Sequence, residues 1–294
     1  YQASVWLVTG PFPIGWTVAC EGSTMGISVD KGADGIATVT VDFPPVNAIP
    51  SAGWFELGEQ ILAAGKDPEV HVVILRAEGR GFNAGVDIKE MQNFEGFDHL
   101  LAANRGCYVA FNAVYECAVP VIAVVNGFCV GGGIGLVGNA DCIVASDDAV
   151  FGLPEVDRGA LGAATHLARM VPPHMMRTLY FTSRTVTAQQ LHSWGTVYDV
   201  VPRDQLDAAA RDLAESIAAK DTRVIRAAKE AINHIDPVDV KSSYRMEQGF
   251  TFELNLAGVA DEHRDEFVKT GQNLDKRAER GSHDTSTGRT GETK

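Results

Sequence analysis

The stretch from Val119 to Asp141, VPVIAVVNGFCVGGGIGLVGNAD, decides how this chain folds. It predicts a buried strand over 120–125, a turn at Asn126-Gly127, and then three consecutive glycines at 131–133. Such a glycine run is tolerated where the backbone approaches another group closely. If a helix begins there, its first N–H groups can hold an oxygen that becomes negative during a reaction. The glycines could equally serve only to pack a helix against a sheet, and this stretch alone leaves both interpretations open.

Strand patterns alternate with helix patterns on either side of this stretch. We expect strands over 35–43, 70–77, 141–146, 149–152 and 197–201. We expect helices over 52–64 with Ser51 as N-cap, and over 88–91, 97–115, 162–170, 173–181 and 188–194. Because the glycine loops fall where a strand gives way to a helix, the pattern predicts an α/β fold with parallel strands.

The chain is expected to divide into four parts. Residues 1–24 are apolar but interrupted by glycine and proline, and we interpret them as an N-terminal extension that is non-native or disordered. Residues 25–203 form the α/β core. Residues 204–270 form a helical region, with helices over 204–219, 223–234, 238–256 and 260–270. Residues 271–294 are polar with almost no aliphatic side chains, which predicts a disordered tail.

Composition and charge restrict the possible partners. The net charge of −13 argues against nucleic acid and against an anionic membrane, because both attract basic surfaces. The five cysteines form no C-x-x-C pair and the eight histidines form no metal-binding pair, so we expect no disulfide, no metal site and a cytoplasmic location. His166 is the histidine nearest the glycine run, and we interpret it as a structural residue.

Three motifs together resemble the crotonase (enoyl-CoA hydratase/isomerase) superfamily. They are FNAGVDIKEM at 82–91, PVIAVVNGFCVGGG at 120–133 and FGLPE at 151–155, and the similarity extends from about residue 35 to about residue 270. The resemblance implies a superhelix of ββα units and a C-terminal helical region that builds a homotrimer or a dimer of trimers. It also implies an acyl-CoA thioester substrate, with no cofactor beyond the CoA that the substrate carries.

The resemblance places an oxyanion hole at the backbone N–H groups of Val86 and Gly132. Hydratases of the superfamily carry two glutamates that correspond to positions 135 and 155. Here the second is Glu155, which the resemblance makes the catalytic residue, but the first is Gly135. Because glycine cannot transfer protons, simple hydration of a linear enoyl-CoA is not favoured. We expect Gly135 to widen the pocket for a bulky substrate.

Further residues correspond to family positions that line the CoA and substrate site. Their alternative role, as exposed helix charges, loop braces or packing aromatics, remains open. They are Ala48, Ala84, Asp87, Ile88, Lys89, Gly135, Phe267 and Lys269.

A single carboxylate suits two kinds of enzyme in the superfamily, double-bond isomerases and ring-opening hydrolases. The segments 44–50, 77–92, 115–139, 151–167 and 243–269 are similar to the hydrolases that open a ring of a bicyclic CoA ester in bacterial steroid breakdown. We therefore expect hydrolytic C–C cleavage through an enolate held by the oxyanion hole. The alternatives are an enoyl-CoA isomerase or hydratase and a non-catalytic scaffold with this fold.

Residues 133–138 also match G-x-G-x-x-G, the pattern of a dinucleotide-binding turn. That fold needs a full helix between the loop and the next strand. Only residues 136–140 are available before the strand that is predicted from Asp141, so the sequence argues against NAD binding.

Overall fold

A computed structural model describes residues 26–92 and 97–271, with the side chain of Met91 left out. The expectations for residues 1–24 and for the tail beyond Gly271 concern segments outside this part. The division of the core from the helical region at residues 203 and 204 also stays a prediction.

Nine strands are present in the described residues. They are β1 (Gly26–Lys31), β2 (Ile36–Asp42), β3 (Val72–Ala77), β4 (Val121–Val125), β5 (Phe128–Val130), β6 (Cys142–Ser146), β7 (Val150–Gly152), β8 (Thr185–Thr187) and β9 (Asp199–Val201).

Eleven α-helices accompany these strands in the same part of the chain, together with short 3-10 turns at Val156–Arg158 and Arg203–Gln205. The helices are α1 (Ser51–Lys66), α2 (Ile88–Gln92), α3 (Asp98–Glu116), α4 (Gly132–Val137), α5 (Ala164–Met170), α6 (Pro173–Thr182), α7 (Ala188–Ser193), α8 (Leu206–Ala218), α9 (Thr222–Ile235), α10 (Val240–Leu256) and α11 (Val259–Thr270).

The strands form two sheets. The larger has the order β1-β2-β3-β4-β6-β9, with β1 antiparallel to β2 and every other pair parallel. The smaller has the order β5-β7-β8. This confirms the predicted α/β fold, and each expected strand and helix is present with small shifts at its ends. Strands β1, β5 and β8 were not predicted from the sequence.

The central strands β3 and β4 are buried on both faces of the larger sheet, which explains their nearly continuous apolar runs. Along β3, Val73 and Leu75 belong to the main core, which also contains side chains of α1 and α3. Val72 and Ile74 point to the other face, where α8 covers them with Leu206 and neighbouring alanines. The alternation of side chains in a strand therefore builds two cores from one segment.

The start of α1 differs from the expectation. Its N-cap is Pro50, and Ser51 is already helical, so the predicted Ser51 cap is wrong. Instead, Glu90 from α2 accepts hydrogen bonds from the N–H of Ser51 at 2.7 Å and from its hydroxyl at 3.0 Å. A carboxylate brought from another helix thus satisfies an N–H that has no partner within α1.

Helix α9 is bound to the core by two cations. The Arg226 guanidinium donates to the carbonyls of Gly65, Asp67 and Val70 at 2.7–2.9 Å, in the last turn of α1 and just beyond it. The Lys229 ammonium lies 2.6 Å from Asp141 Oδ2, which also accepts the N–H of Val121 at the start of β4. Of the helices in the described part, none combines the length and the apolar composition that crossing a membrane requires.

Candidate active site

The loop after β3 is held by a network of two buried asparagines. Asn47 donates to the carbonyls of Glu78 and Gly81, each at 2.8 Å. Asn83 donates to the Asn47 carbonyl at 2.6 Å and accepts the N–H of Gly85 at 2.8 Å. The loop that carries Val86 is therefore fixed before any ligand binds, which is the preorganisation an oxyanion hole requires.

The glycine run places a second loop against the first. Gly131 adopts a φ of 60°, and Gly132 is the first residue of α4. A β carbon at Gly85 would lie 3.3 Å from the Gly132 nitrogen, so the two backbones are in direct contact. The Gly132 N–H is at a helix start and has no partner within the helix. The Val86 N–H donates to no other protein group in the described residues.

The Trp54 indole supports Gly132 from behind. A β carbon at Gly132 would lie 2.8 Å from two atoms of the indole ring. The ring is completely buried and meets Phe111 edge-on, with centroids 5.6 Å apart. The indole therefore leaves no room for a side chain at Gly132.

Glu155 lies in the turn that follows β7, and it lines the same cavity as Val86 and Gly132. A β carbon at Gly131 would lie 3.0 Å from Glu155 Oε1. Its Oε2 is buried and has no hydrogen-bond partner among the described residues. Burial raises the pKa of Glu155 from 4.5 to about 8, with a smaller contribution from the charge of Glu247. A carboxyl with a pKa near neutrality can accept a proton and return it within one turnover.

The sequence profile of the enoyl-CoA hydratase/isomerase family matches residues 31–271. The chain belongs to this family. The (7aS)-7a-methyl-1,5-dioxo-2,3,5,6,7,7a-hexahydro-1H-indene-carboxyl-CoA hydrolase of Rhodococcus jostii is 76% identical over 248 residues, which cover 84% of this chain and 96% of the relative. The protein of the same name from Mycobacterium tuberculosis is 72% identical and covers 83% of this chain and 99% of its own length.

A solved structure of a probable enoyl-CoA hydratase from Mycobacterium thermoresistibile has the same fold. It superposes with a TM-score of 0.69 at 31% sequence identity, covering 84% of this chain and 98% of that one. The resemblance to the superfamily and the predicted fold are thus confirmed. Helix α4, which holds most of the G-x-G-x-x-G pattern, has only six residues, and β6 begins soon after it at Cys142. The pattern therefore lies in a short helix of this family's fold.

A cavity of about 550 Å³ in this hydratase/isomerase family member joins Glu155 to Val86 and Gly132. Six of the eight residues that the sequence analysis assigned to CoA or substrate also line it. They are Ala48, Ala84, Asp87, Ile88, Lys89 and Phe267. Lys269 is exposed and is not part of the wall. Asp87 accepts the N–H of Lys89 at 2.9 Å, so its carboxylate braces the start of α2.

The expectation that Gly135 opens extra room is wrong. Gly135 is buried and does not reach the cavity, because the Phe111 ring occupies the space that a side chain there would need. Phe111 itself lines the cavity. The glycine therefore makes room for an aromatic ring from α3, and that ring shapes the inner wall.

His166 and Tyr244 complete an aromatic cluster behind this wall. The His166 ring lies 5.0 Å from the centroids of both Phe111 and Tyr244. It is fully buried, and burial lowers the pKa of His166 to about 3, so the imidazole is neutral. This agrees with a structural role. Tyr244 also lines the cavity, although no sequence motif indicated it.

Arg158 lies near the mouth of the cavity. Its guanidinium stacks 3.8 Å from the centroid of the Phe267 ring of α11. Arg264 of the same helix also lines the cavity and pairs with Asp261 at 2.5 Å. Two arginines, Arg158 and Arg264, are thus associated with α11 in the cavity wall.

Proposed function

We propose that this chain hydrolyses a C–C bond in a ring of a bicyclic CoA ester, the kind of substrate named for its Rhodococcus and Mycobacterium relatives. The observation that carries the proposal is one buried carboxyl, Glu155, in the wall of the same cavity as Val86 and Gly132. Identity above 70% over nearly the full length of both relatives supports the same reaction.

In the proposed mechanism, Glu155 takes a proton from water, and the hydroxide attacks the ring ketone. The bond between that carbonyl carbon and its ring neighbour then breaks. A carboxyl group forms at the ketone carbon, and the electron pair is delocalised to the thioester as an enolate. The N–H groups of Val86 and Gly132 hold the enolate oxygen, and Glu155 returns the proton to carbon. One water is added in total.

The cavity offers apolar and aromatic surface for the hydrocarbon part of a bicyclic substrate. Phe111, Tyr244 and Leu161 are among the residues that line it. For the CoA portion, we infer that Ala48, Ala84 and Ile88 line the adenine and pantetheine, and that Lys89 and Phe267 lie near the phosphates or the base. The reaction needs no further cofactor.

The decisive experiment incubates the protein in H₂¹⁸O with a bicyclic keto CoA ester and, separately, with linear 2-enoyl-CoA and 3-enoyl-CoA. A ring-opened product with ¹⁸O in a new carboxyl group is expected. Water added without a new carboxyl would indicate a hydratase, and an isomer of unchanged mass an isomerase. Absence of turnover with all three would leave the non-catalytic scaffold.

We also propose a homotrimer or a dimer of trimers. The C-terminal helices expose large apolar side chains, including Ile235 at 79% and Leu256 at 70%. Such surface on α9 and α10 is of the kind that association covers. Light scattering after size exclusion should give three or six times the chain mass, and a monomer would contradict the proposal.

A further inference from the structure

Helix α10 carries a second carboxylate, Glu247, which contacts the main chain next to the cavity-lining residues 160–163. Its Oε1 accepts the N–H of Ala164 at 2.8 Å, and its Oε2 accepts the N–H of Thr165 at 3.4 Å. These are the first N–H groups of α5 and have no partner within that helix. Glu247 therefore fixes the start of α5 from a distant part of the chain.

Tyr180 extends this contact toward the catalytic carboxyl. Its hydroxyl donates to Glu247 Oε1 at 3.2 Å and accepts the N–H of Gly162 at 3.3 Å. Gly162 lines the cavity, and a β carbon there would lie 3.7 Å from Glu155 Cγ. A continuous chain of contacts thus runs from Glu247 through Tyr180 and Gly162 to Glu155.

The segment between Gly162 and α5 needs such support. Ala163 has a φ of 57°, in the left-handed region that a non-glycine residue rarely adopts. Thr251, one turn further along α10, accepts the N–H of Leu161 at 3.3 Å and donates to its carbonyl. Helix α10 therefore holds residues 161–165 in a conformation that the segment would not keep unaided.

The Glu247 charge is not neutralised locally. Among the described residues no salt bridge joins it to a cation, and its partners are two N–H groups, the Thr165 side chain and the Tyr180 phenol. Its charge raises the pKa of Glu155, although desolvation has the larger effect. The other titratable groups that act on Glu155 or are acted on by it are Cys107 of α3, Arg158 of the adjacent turn, Tyr180 of α6 and Tyr244 of α10.

We propose that Glu247 is a positioning residue for the reaction of Glu155, acting through Tyr180 and the main chain of residues 162–165. It is not among the residues that line the cavity. The inference rests on the proposed function, because it assigns Glu247 a role only if Glu155 is the reacting carboxyl.

The test compares Glu247→Gln with Tyr180→Phe. Misplacement of a catalytic group from outside the site can cost about 100-fold in rate, so kcat should fall by up to about that factor in both variants while KM changes little. Removing the negative charge should also lower the pKa of Glu155. The acid limb of kcat/KM should therefore move to lower pH in Glu247→Gln and not in Tyr180→Phe.

The control is Glu253→Gln, which removes the same charge from an exposed position on α10 and should leave both kcat and the pH profile unchanged. Unchanged kcat with an unchanged acid limb in Glu247→Gln would overturn the proposal, as would a loss of thermal stability alone. If Glu247→Gln does not fold, Glu247→Asp replaces it. The shorter carboxylate should lower kcat without moving the acid limb of kcat/KM. A wild-type kcat in this variant would contradict the inference.

Infrared titration of the Glu155 carboxyl, identified by its loss in Glu155→Gln, separates this inference from the proposed function. It needs no turnover. If the wild-type protein does not open the bicyclic ester, the proposed function fails, yet a lower Glu155 pKa in Glu247→Gln still supports the coupling. If the wild-type protein is active and neither kcat nor this pKa changes in the variant, only the inference fails.

Discussion

The Phe111 ring lies so close to Gly135 that a β carbon at that position would overlap three of its carbon atoms. At the position where the resemblance to the superfamily's hydratases predicts a glutamate, this chain has a glycine covered by an aromatic ring from α3. The wall at Phe111 is consequently apolar, and the carboxylates among the lining residues are Asp87 and Glu155.

Substitution of Gly135 should therefore destabilise the protein. Overpacking a core costs about 1–3 kcal/mol, and Gly135→Ala should lower the free energy of unfolding by an amount in this range. In a Phe111→Leu background the same change should cost less, because the smaller side chain can yield. Urea unfolding of the four proteins measures the coupling. Gly249→Ala on α10, where a β carbon would meet nothing, is the matched control. Strict additivity would contradict the packing argument.

Glu155→Gln should remove turnover while CoA-ester binding persists. A positioned acid/base group contributes about 10²–10⁴-fold, and kcat should fall by at least this factor. In the wild type, the base is active only when deprotonated, so kcat/KM should rise with pH and reach half its maximum near the Glu155 pKa of about 8. Steady-state rates across pH, with binding measured by calorimetry, test both points. A Gln variant with wild-type kcat would exclude Glu155 as the base.

The same pKa predicts how stability depends on pH. The unfolded chain loses the Glu155 proton near pH 4.5, whereas the folded protein keeps it until about pH 8. The folded state thus binds more protons between these values, and its stability from this group falls as pH rises through that window. The free energy of unfolding of Glu155→Gln should equal that of the wild type near pH 4.5 and exceed it above about pH 8. Urea unfolding of both proteins at the two pH values checks this. A difference in the free energy of unfolding that does not change with pH would contradict it.

The Gly132 amide should be sensitive to any added side chain. In Gly132→Ala the new methyl group would press on the Trp54 indole, which is completely buried and cannot withdraw, so the helix start must move. Loss of one oxyanion donor costs about 10²–10³ in kcat. We expect a decrease of this size with little change in the dissociation constant of the CoA ester. Wild-type kcat in the variant would show that this amide does not contact the reacting oxygen.

The Lys229–Asp141 pair should contribute strongly to folding. The Lys229 side chain is 3% exposed, and breaking a buried pair costs about 3–5 kcal/mol because it leaves an unpaired charge. Lys229→Met should therefore lower the free energy of unfolding by an amount in this range, and Asp141→Asn should recover part of the loss. Arg223→Met, which breaks an exposed pair with Asp221, should have no measurable effect. Similar losses in both would contradict the burial argument.

Much of the main architecture and the central site were predictable from the sequence because their signals are local. Alternating or continuous apolar runs predicted β2, β3, β4 and β6, and the glycine run marked the loop of Gly132. The three-residue strands β5 and β8 are too short to show periodicity, and they exist because β7 lies beside them. Such pairing is a tertiary effect.

The remaining parts of the site depend on contacts between distant segments. Nothing near Gly135 in the sequence indicates that Phe111, from another helix, fills its space. Glu247 looks like an ordinary charge on an amphipathic helix, and only the fold brings it to the N–H groups of α5. Likewise, Ser51 has the right type for an N-cap, but Glu90 of α2 takes that role.

Helices α9 and α10 contact segments that precede them in the chain, so these contacts can form only after both helices have been synthesised. Until the ribosome has released α9, the carbonyls beyond α1 and the Asp141 carboxylate lack their cationic partners. Until α10 has emerged, residues 161–165 lack Glu247 and Thr251. A nascent chain can thus pair β2, β3, β4 and β6 before the wall beside Glu155 is complete, because that wall needs α10.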